Sequence, residues 1–327
     1  MLVGFNTSLQ GSSHVVAGIP CQDYSSTMYV STIDGSQVVV SAVADGVGSC
    51  SNAHLGSKIA LEGCMKKVKQ LIAAAVNMSV EDMVLYLQEG FRAAIDAVRN
   101  AADEQQMPVI TFDTTLSVVI CEDGYMAFGH CGDGGIVVLY EDSSYEMVSH
   151  RHKGEEATSV FPLRYEEEWE FGSIAKPFAS VALMTDGVLD SFVAYEDMGN
   201  MIYFPFLQPL MTARIEIKAT KPEKSVAELA EISRQLVEFA EKQLNSDEFR
   251  NKVHDDLSLA MILDSEVTLK MPVIKFNEAE WQKKVDEHTQ KQRAALIEEA
   301  KRQAELYCKN SKSMPTADEV SVSDEDP

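Results

Sequence analysis

Two apolar runs of strand length, far apart in the chain, each lead into an aspartate followed by a glycine. The first run covers Gln37–Ala44 and ends at Asp45. The second covers Val181–Met184 and reaches Asp186 after one threonine. Short continuous apolar runs rich in β-branched residues are typical of buried strands. Both runs therefore predict strands that deliver a carboxylate at their carboxyl ends.

Between and after these runs, the apolar positions change to helical spacing in three places. Helical periodicity predicts one helix over His54–Val76 and a second that starts at a capping box formed by Ser79 and Asp82. A third amphipathic helix is predicted from Ser225 to about Phe239. These long helices are separated by runs of short strands, a distribution that matters for the fold class.

Short strands arrive in succession in the middle of the chain. The pattern predicts strands over Thr114–Ile120, Tyr125–His130 and Ile136–Tyr140, and a final core strand over Leu257–Leu263. Residues 3–30 are mixed and turn-rich, and predict no long element. Because strands do not alternate regularly with helices, we predict a layered α+β fold and not a parallel doubly wound sheet.

The composition changes near Asp264, after which Lys, Glu, Gln and Ala dominate. We therefore expect a domain over residues 1–264 and a charged C-terminal extension over residues 265–327. Within the extension, a helix is predicted from Glu278 to Cys308. The acidic end, Thr316–Pro327, has the composition of a disordered segment.

The overall charge restricts the classes of partner. The 327 residues carry a formal net charge of −23, which argues against nucleic acids and anionic membranes as ligands. No apolar run approaches the length of a membrane span, and the first residues lack the pattern of a signal peptide. The six cysteines form no C-x-x-C pair, so we interpret them as reduced thiols and predict a cytoplasmic protein.

Five aspartates stand out by their positions at turns and strand ends, and they suggest a metal centre. Magnesium and manganese are hard cations that prefer oxygen ligands, and a two-ion site needs several carboxylates to neutralise it. The candidates are Asp23, Asp45, Asp133, Asp186 and Asp255.

Asp-Gly is also the commonest hairpin signal, so each candidate has a purely structural alternative. Asp123-Gly124 fits an ordinary hairpin turn. For Asp133, hairpin turn and metal ligand remain equally open, because strands are predicted on both sides. Asp45 is followed by a helix, so the hairpin explanation is weak there.

These residues resemble a known family. The segments ADGVG at 44–48, GDG at 132–134, TDGVLD at 185–190 and DDLS at 255–258 look like the ordered motifs of the type 2C serine/threonine protein phosphatases. The resemblance covers about residues 8–264 and is closer to the bacterial branch of that family.

The resemblance implies a fold, a cofactor and a role for each acid. The fold would be a four-layer α-β-β-α sandwich with a metal site at the edge between two antiparallel sheets. Asp45 would bridge two Mg²⁺ or Mn²⁺ ions and Gly46 would offer its carbonyl to one of them. Asp186 and Asp255 would complete the other site, and Asp133 with Asp186 would hold a possible third ion. Asp23 would lie near the phosphate and the waters on the ions.

The implied activity is hydrolysis of phosphoserine and phosphothreonine in proteins by a water held between the two ions. This chain departs from the family pattern, however. Val47 stands where many members have a histidine proposed as general acid, no arginine precedes the early acids, and Gln22 replaces the first of them. His14 is a candidate for phosphate or leaving-group contact, although an ordinary packed or surface histidine is the alternative.

Two other functions stay open at this point. The missing histidine and arginine are compatible with a pseudophosphatase that binds metal or phosphopeptide without turnover. Hydrolysis of a small phosphorylated molecule would use the same chemistry on a different substrate. The C-terminal extension is a candidate for binding a partner.

Overall fold

The computed structural model describes residues 1–122, 124–152, 160–193, 201–212, 226–268 and 270–312. The chain forms two compact units, one of Met1–Ala194 with Ile202–Phe276 and the other of Tyr195–Met201 with Asn277–Pro327. The strands of the first unit are β1 (Leu2–Leu9), β2 (Asp23–Ser31), β3 (Gln37–Asp45), β4 (Leu116–Glu122), β5 (Tyr125–Cys131), β6 (Gly135–Tyr140), β7 (Tyr145–Met147), β8 (Glu170–Ile174), β9 (Phe178–Met184) and β10 (Leu257–Asp264).

Helices occur in both units. Those of the first unit are α1 (Ser12–Ala17), α2 (Ala53–Ala73), α3 (Val80–Glu104), α4 (Asp186–Leu189), α5 (Phe204–Met211), α6 (Val226–Leu244), α7 (Asp247–Arg250) and α8 (Ser265–Thr268). The second unit contains α9 (Glu278–Lys312), which extends beyond the predicted end at Cys308. The predicted disorder of Thr316–Pro327 lies outside the described residues, and the domain boundary after residue 264 stays a prediction.

The strands form two five-stranded sheets in which all neighbours are antiparallel. Sheet I has the order β1-β10-β9-β6-β7 and sheet II has the order β2-β3-β4-β5-β8. The predicted α+β class with antiparallel sheets is confirmed.

Strand β3 shows how the layers are built. Side chains of a strand point alternately to its two faces. Val38, Val40 and Ala42 belong to the core that includes α2 and α3, whereas Val39 and Val43 belong to the core between the two sheets. This explains why the run is apolar without alternation, since both faces of the strand are buried.

Helices close the outer face of each sheet. On sheet II, Leu61 of α2 and Phe91 of α3 pack in one core, and on sheet I, Leu207 of α5 and Leu236 of α6 pack in another. The order of layers is therefore helix pair, sheet II, sheet I and helix pair, and the predicted four-layer sandwich is confirmed.

Two predictions from the sequence were wrong or incomplete. Residues 3–30 contain β1, α1 and β2, which the turn-rich pattern did not predict. Their strands are hard to recognise because hydroxyls lie between the sheets in hydrogen-bonded pairs in place of apolar side chains. Ser8 lies 2.8 Å from Ser25 and Thr27 lies 2.8 Å from Ser41, oxygen to oxygen.

The hairpin alternative for Asp133 is also wrong. Strand β5 belongs to sheet II and β6 to sheet I, so the segment between them carries the chain from one sheet to the other. By contrast, β4 and β5 are paired neighbours, as a hairpin at Gly124 requires, although Asp123 itself lies outside the described residues.

No helix in the described part of the chain has the length and apolar content that a membrane span needs.

The predicted capping box at the start of α3 is present and testable. The Ser79 hydroxyl accepts a hydrogen bond from the Asp82 amide at 3.1 Å, and the Asp82 carboxylate accepts one from the Ser79 amide at 2.9 Å. We expect Ser79→Ala to lower the free energy of unfolding by about 1 kcal/mol, measured by urea titration. Ser79→Thr, which keeps the acceptor, should stay close to wild type. An equal loss in both variants would contradict this role of the hydroxyl.

Candidate metal-dependent active site

The candidate acids meet at one edge of the sandwich because of how the strands pair. In sheet II, Asp23 begins β2 where Asp45 ends β3, and the two are register partners. In sheet I, β9 ends where its antiparallel neighbour β10 begins, so Asp186 and Asp255 reach the same edge from opposite chain directions. Residues remote in sequence are thereby brought together by antiparallel pairing.

Thr185 joins the two sheets at this edge. Its hydroxyl donates to Asp23 Oδ2 of sheet II at 2.8 Å and accepts from the Ser258 amide of sheet I at 3.0 Å. Thr185 is 2% exposed, so these hydrogen bonds are shielded from water. One side chain thus fixes the position of the β2 carboxylate relative to β9 and β10.

The crossing segment places Asp133. Gly132 has φ +107°, and a Cβ at this position would lie 2.4 Å from the Thr115 side chain. A Cβ on Gly134 would lie 2.6 Å from the Met184 carbonyl. The buried His130 supports the turn, because its Nε2 lies 3.1 Å from the Gly132 carbonyl oxygen. Glycines on both sides therefore let the backbone of Asp133 approach sheet I closely.

These segments surround a cavity of about 510 Å³. Four of the five predicted acids line it: Asp45, Asp133, Asp186 and Asp255, together with the predicted Gly46 and His14. Gly46 has no room for a side chain, since a Cβ would lie 2.4 Å from the Ala53 carbonyl oxygen. The backbone that follows β3 therefore packs closely against the start of α2.

Asp23, the fifth predicted acid, lies behind the residues that line the cavity. Its side chain is buried and is not part of the cavity lining, and it makes hydrogen-bonding contact with the carboxyl group of Asp45. Asp45 makes a similar contact with Asp186. The acids thus form a continuous chain from the buried Asp23 to the exposed Asp255.

Burial and crowding raise the pKa values of these acids. Burial, followed by the nearby charges of other acids, raises the pKa of Asp23 to about 8. Burial and the charges of Asp23 and Asp186 raise the pKa of Asp45 well above its usual range. Burial and the charges of Asp133 and Asp255 raise the pKa of Asp186 to about 6. Charged carboxylates at these positions therefore need a positive counter-charge.

The donor set fits hard divalent cations. Carboxylates, with the backbone carbonyl of the cavity-lining Gly46, are the kind of oxygen ligands that Mg²⁺ and Mn²⁺ prefer. Within the described ranges, no group of three or more His, Cys, Asp or Glu side chains forms a preformed metal cage. The acids line an open cavity instead, which suits an ion that keeps several waters, as Mg²⁺ usually does in proteins.

Asp256 is a site residue whose separate task the sequence did not reveal. It is 2% exposed, and its carboxylate accepts hydrogen bonds from the amides of Gly11 and Gln22, both at 2.6 Å. Its Oδ2 also lies 2.9 Å from His14 Nδ1, although the angle is not that of a hydrogen bond. The Asp255-Asp256 pair signalled the site, but only the fold shows that the first acid lines the cavity and the second anchors α1.

The basic residues at 150–152 are neutralised by nearby acids. His150 pairs with Glu170 at 2.8 Å, and His152 Nδ1 lies 3.4 Å from Glu168. The Arg151 guanidinium donates to the Asp133 carbonyl oxygen at 2.8 Å and also contacts Asp190. Among the described residues that line the cavity there is no lysine or arginine.

Comparison with known proteins identifies the family. A family model described as protein phosphatase 2C matches residues 10–232, which is more than half of the chain. The chain belongs to the protein phosphatase 2C family. Its predicted membership is confirmed, and the protein is a protein phosphatase.

Individual relatives of this phosphatase are distant. Serine/threonine-protein phosphatase 3 of Escherichia coli K12 is 26% identical over 275 residues, which cover 79% of this chain and 97% of the relative. The crystal structure of the serine/threonine phosphatase Stp1 from Staphylococcus aureus is 12% identical, covers 81% of this chain and 95% of its own, and has a TM-score of 0.50.

A second solved structure gives the same result. The Mycobacterium tuberculosis serine/threonine phosphatase PstP/Ppp is 15% identical, covers 80% of this chain and 98% of its own, and has a TM-score of 0.50. At these identities, the two structures show that the phosphatase shares their fold.

The raised pKa values predict an unusual pH dependence for the metal-free phosphatase. Asp23 and Asp186 have folded-state pKa values of about 8 and about 6, above the ordinary value of 3.8, so the fold favours their protonated forms. Stability should therefore be gained as pH falls through these values and lost as pH rises. With a chelator present, we expect the melting temperature at pH 5.5 to be roughly 5 °C higher than at pH 8.

Two controls test the cause of this dependence. Asp23→Asn and Asp186→Asn should each flatten the profile, because they remove an ionisable group. Saturating Mn²⁺ should flatten it in the wild type by supplying the counter-charge. A metal-free melting temperature that is constant or falls toward pH 5.5 would refute this electrostatic picture.

Proposed function

We propose that this member of the family is a metal-dependent phosphatase that hydrolyses phosphoserine and phosphothreonine in proteins. The observation that carries the proposal is the convergence of Asp45, Asp133, Asp186 and Asp255, from separate segments, on one cavity. The names of the Escherichia coli relative and the two solved structures, all serine/threonine phosphatases, support the substrate class.

The acids would hold two divalent ions, Mg²⁺ or Mn²⁺. Asp45 would contact both, the Gly46 carbonyl one, and Asp186 with Asp255 the other, while Asp133 and Asp186 would hold a possible third ion. When bound, such ions neutralise the carboxylates, draw charge from the phosphoryl oxygens and lower the pKa of a water held between them. The open cavity leaves space for that water and for the phosphoryl group.

The remaining site residues would position the metal-binding acids and the substrate. The hydrogen bond from Thr185 keeps the Asp23 carboxyl group in place. Asp23 would act on the site through its contact with the Asp45 carboxyl group. His14 lines the cavity, and its Nδ1 lies 2.9 Å from Oδ2 of the buried Asp256 carboxylate. We therefore assign His14 to contact with the phosphate or with the leaving oxygen, a task for which Val47 has no polar group.

Removal of metal and of one acid tests the proposal. Chelated protein should lose turnover of an aryl phosphate and of a phosphothreonine peptide, and Mg²⁺ or Mn²⁺ should restore it. Asp186→Asn should lower kcat/KM by at least about 10³-fold in the presence of metal, because it removes a ligand charge from the ions. Asp96→Asn, an exposed position on α3, is the matched control and should retain activity.

The same assay separates the alternatives. Phosphopeptide binding by calorimetry with no turnover of either substrate would favour the pseudophosphatase. Turnover of aryl and small-molecule phosphates without turnover of phosphopeptides or phosphoproteins would favour a small-molecule phosphomonoesterase. Undiminished activity in Asp186→Asn would remove the metal mechanism altogether.

His14 has its own prediction. His14→Gln should lower kcat/KM for the phosphothreonine peptide roughly 10- to 100-fold, the range of one charge-assisted hydrogen bond. His54→Gln is the matched control, since His54 lies on α2 and is not part of the cavity lining. Stability should be compared as well, because a loss of activity that simply follows unfolding would assign His14 to packing and not to phosphate contact.

A further inference from the structure

Exposed aliphatic side chains lie on α1, which also contributes to the cavity lining, and on the turn that follows it. Val15 is 61% exposed, Val16 is 90% exposed and Ile19 is 37% exposed. The preceding residues of the same helix, Ser13 and His14, line the cavity. We refer to Val15, Val16 and Ile19 as the aliphatic rim.

Folding does not require this apolar surface. Helix α1 buries none of its residues. Polar contacts hold it in place: the Ser13 amide and hydroxyl donate to the His254 carbonyl oxygen at 3.0 and 2.6 Å, and the Gly11 amide donates to Asp256. Serine or alanine in place of the valines would leave all of these contacts intact, so the aliphatic side chains have no evident role in stabilising the helix.

The described lining of the neighbouring cavity supplies little that would select one phosphorylated protein over another. Its described lining contains no lysine or arginine, so a protein substrate gains little from direct ionic contact between its phosphate and a side chain. Ions in the cavity bind any phosphate monoester and do not distinguish one peptide from another. Burial of apolar surface next to the cavity would supply both affinity and selectivity.

We propose that the aliphatic rim binds an aliphatic side chain of the substrate, one or two positions from the phosphorylated residue. The inference rests on the function proposed above and narrows its substrate class to phosphoproteins with Val, Ile or Leu close to the phosphosite. In an extended peptide, a residue one or two positions from the phosphorylated residue lies roughly 3 to 7 Å from it, and Val15 and Val16 are the next two residues of α1 after the cavity-lining His14.

Charge disfavours the other occupants of such a surface. A second copy of this chain would bring two molecules of net charge −23 together, and an anionic membrane would be repelled in the same way. A peptide segment whose phosphate enters the cavity is tethered at that point. Its flanking side chains must therefore lie over the surface that surrounds the entrance, which includes the rim.

The test compares two phosphothreonine peptides of equal length and charge, one with Leu on both sides of the phosphothreonine and one with Ser. With Mn²⁺-loaded wild-type protein, we expect kcat/KM to be about tenfold higher for the Leu peptide, with the difference mainly in KM. The double variant Val15→Ser/Val16→Ser should reduce this ratio to about one. The matched control is Ile33→Ser/Leu85→Ser, at aliphatic positions 67% and 54% exposed elsewhere, which should keep the wild-type ratio.

The outcomes separate this inference from the proposed function. Equal kcat/KM for the two peptides in wild type, or a ratio that survives Val15→Ser/Val16→Ser, overturns the rim as a specificity determinant while the phosphatase stands. If neither peptide nor an aryl phosphate is hydrolysed, the proposed function fails, and calorimetry with the same peptides takes over as the readout. Binding of the two peptides with equal affinity would then overturn the rim as well.

Discussion

Repulsion between buried carboxylates is the constraint on which the active site depends. Asp45 contacts both Asp23 and Asp186 at the edge of two sheets, where burial and neighbouring acids raise the pKa of each of the three. This clustering of acids does not stabilise the fold, because each ionised carboxylate repels its ionised neighbours. Either protonation of the acids or bound cations would relieve this repulsion, and bound cations would give the site its chemistry.

The rest of the edge holds these acids in place despite their repulsion. Thr185 links Asp23 to sheet I, and the Asp256 carboxylate accepts hydrogen bonds from the amides of Gly11 and Gln22. Gly132 and Gly134 allow the crossing segment to approach both sheets. Behind this edge, three apolar cores make the two sheets and their helices rigid, so that the positions of the strand ends are not free to relax.

Where this chain departs from the family pattern, the structure offers replacements of a different kind. Val47 lines the cavity at the position of the missing histidine, and His14 reaches the same cavity from α1. The missing arginine has no lysine or arginine substitute in the described lining. Recognition of the substrate would then depend more on the metal ions and on surface beside the cavity than on ionic contact with a side chain.

Much of the fold could be predicted from the sequence because buried apolar positions recur with the period of a strand or a helix. The run Gln37–Ala44 predicted a buried strand, and Ser79 with Asp82 predicted the start of α3. The strands β1 and β2 were missed for the opposite reason, since Ser8 pairs with Ser25 and Thr27 pairs with Ser41 through their hydroxyls, which interrupts the apolar pattern.

The sequence by itself determined which residue types sit at strand ends, and with them the oxygen-rich chemistry of the site. Only the tertiary structure decided that Asp133 lies on a crossing between sheets and not in a hairpin, because strand pairing partners are not local information. It also decided between the neighbours Asp255 and Asp256. Adjacent residues near a strand start point in different directions, so one lines the cavity and the other anchors α1.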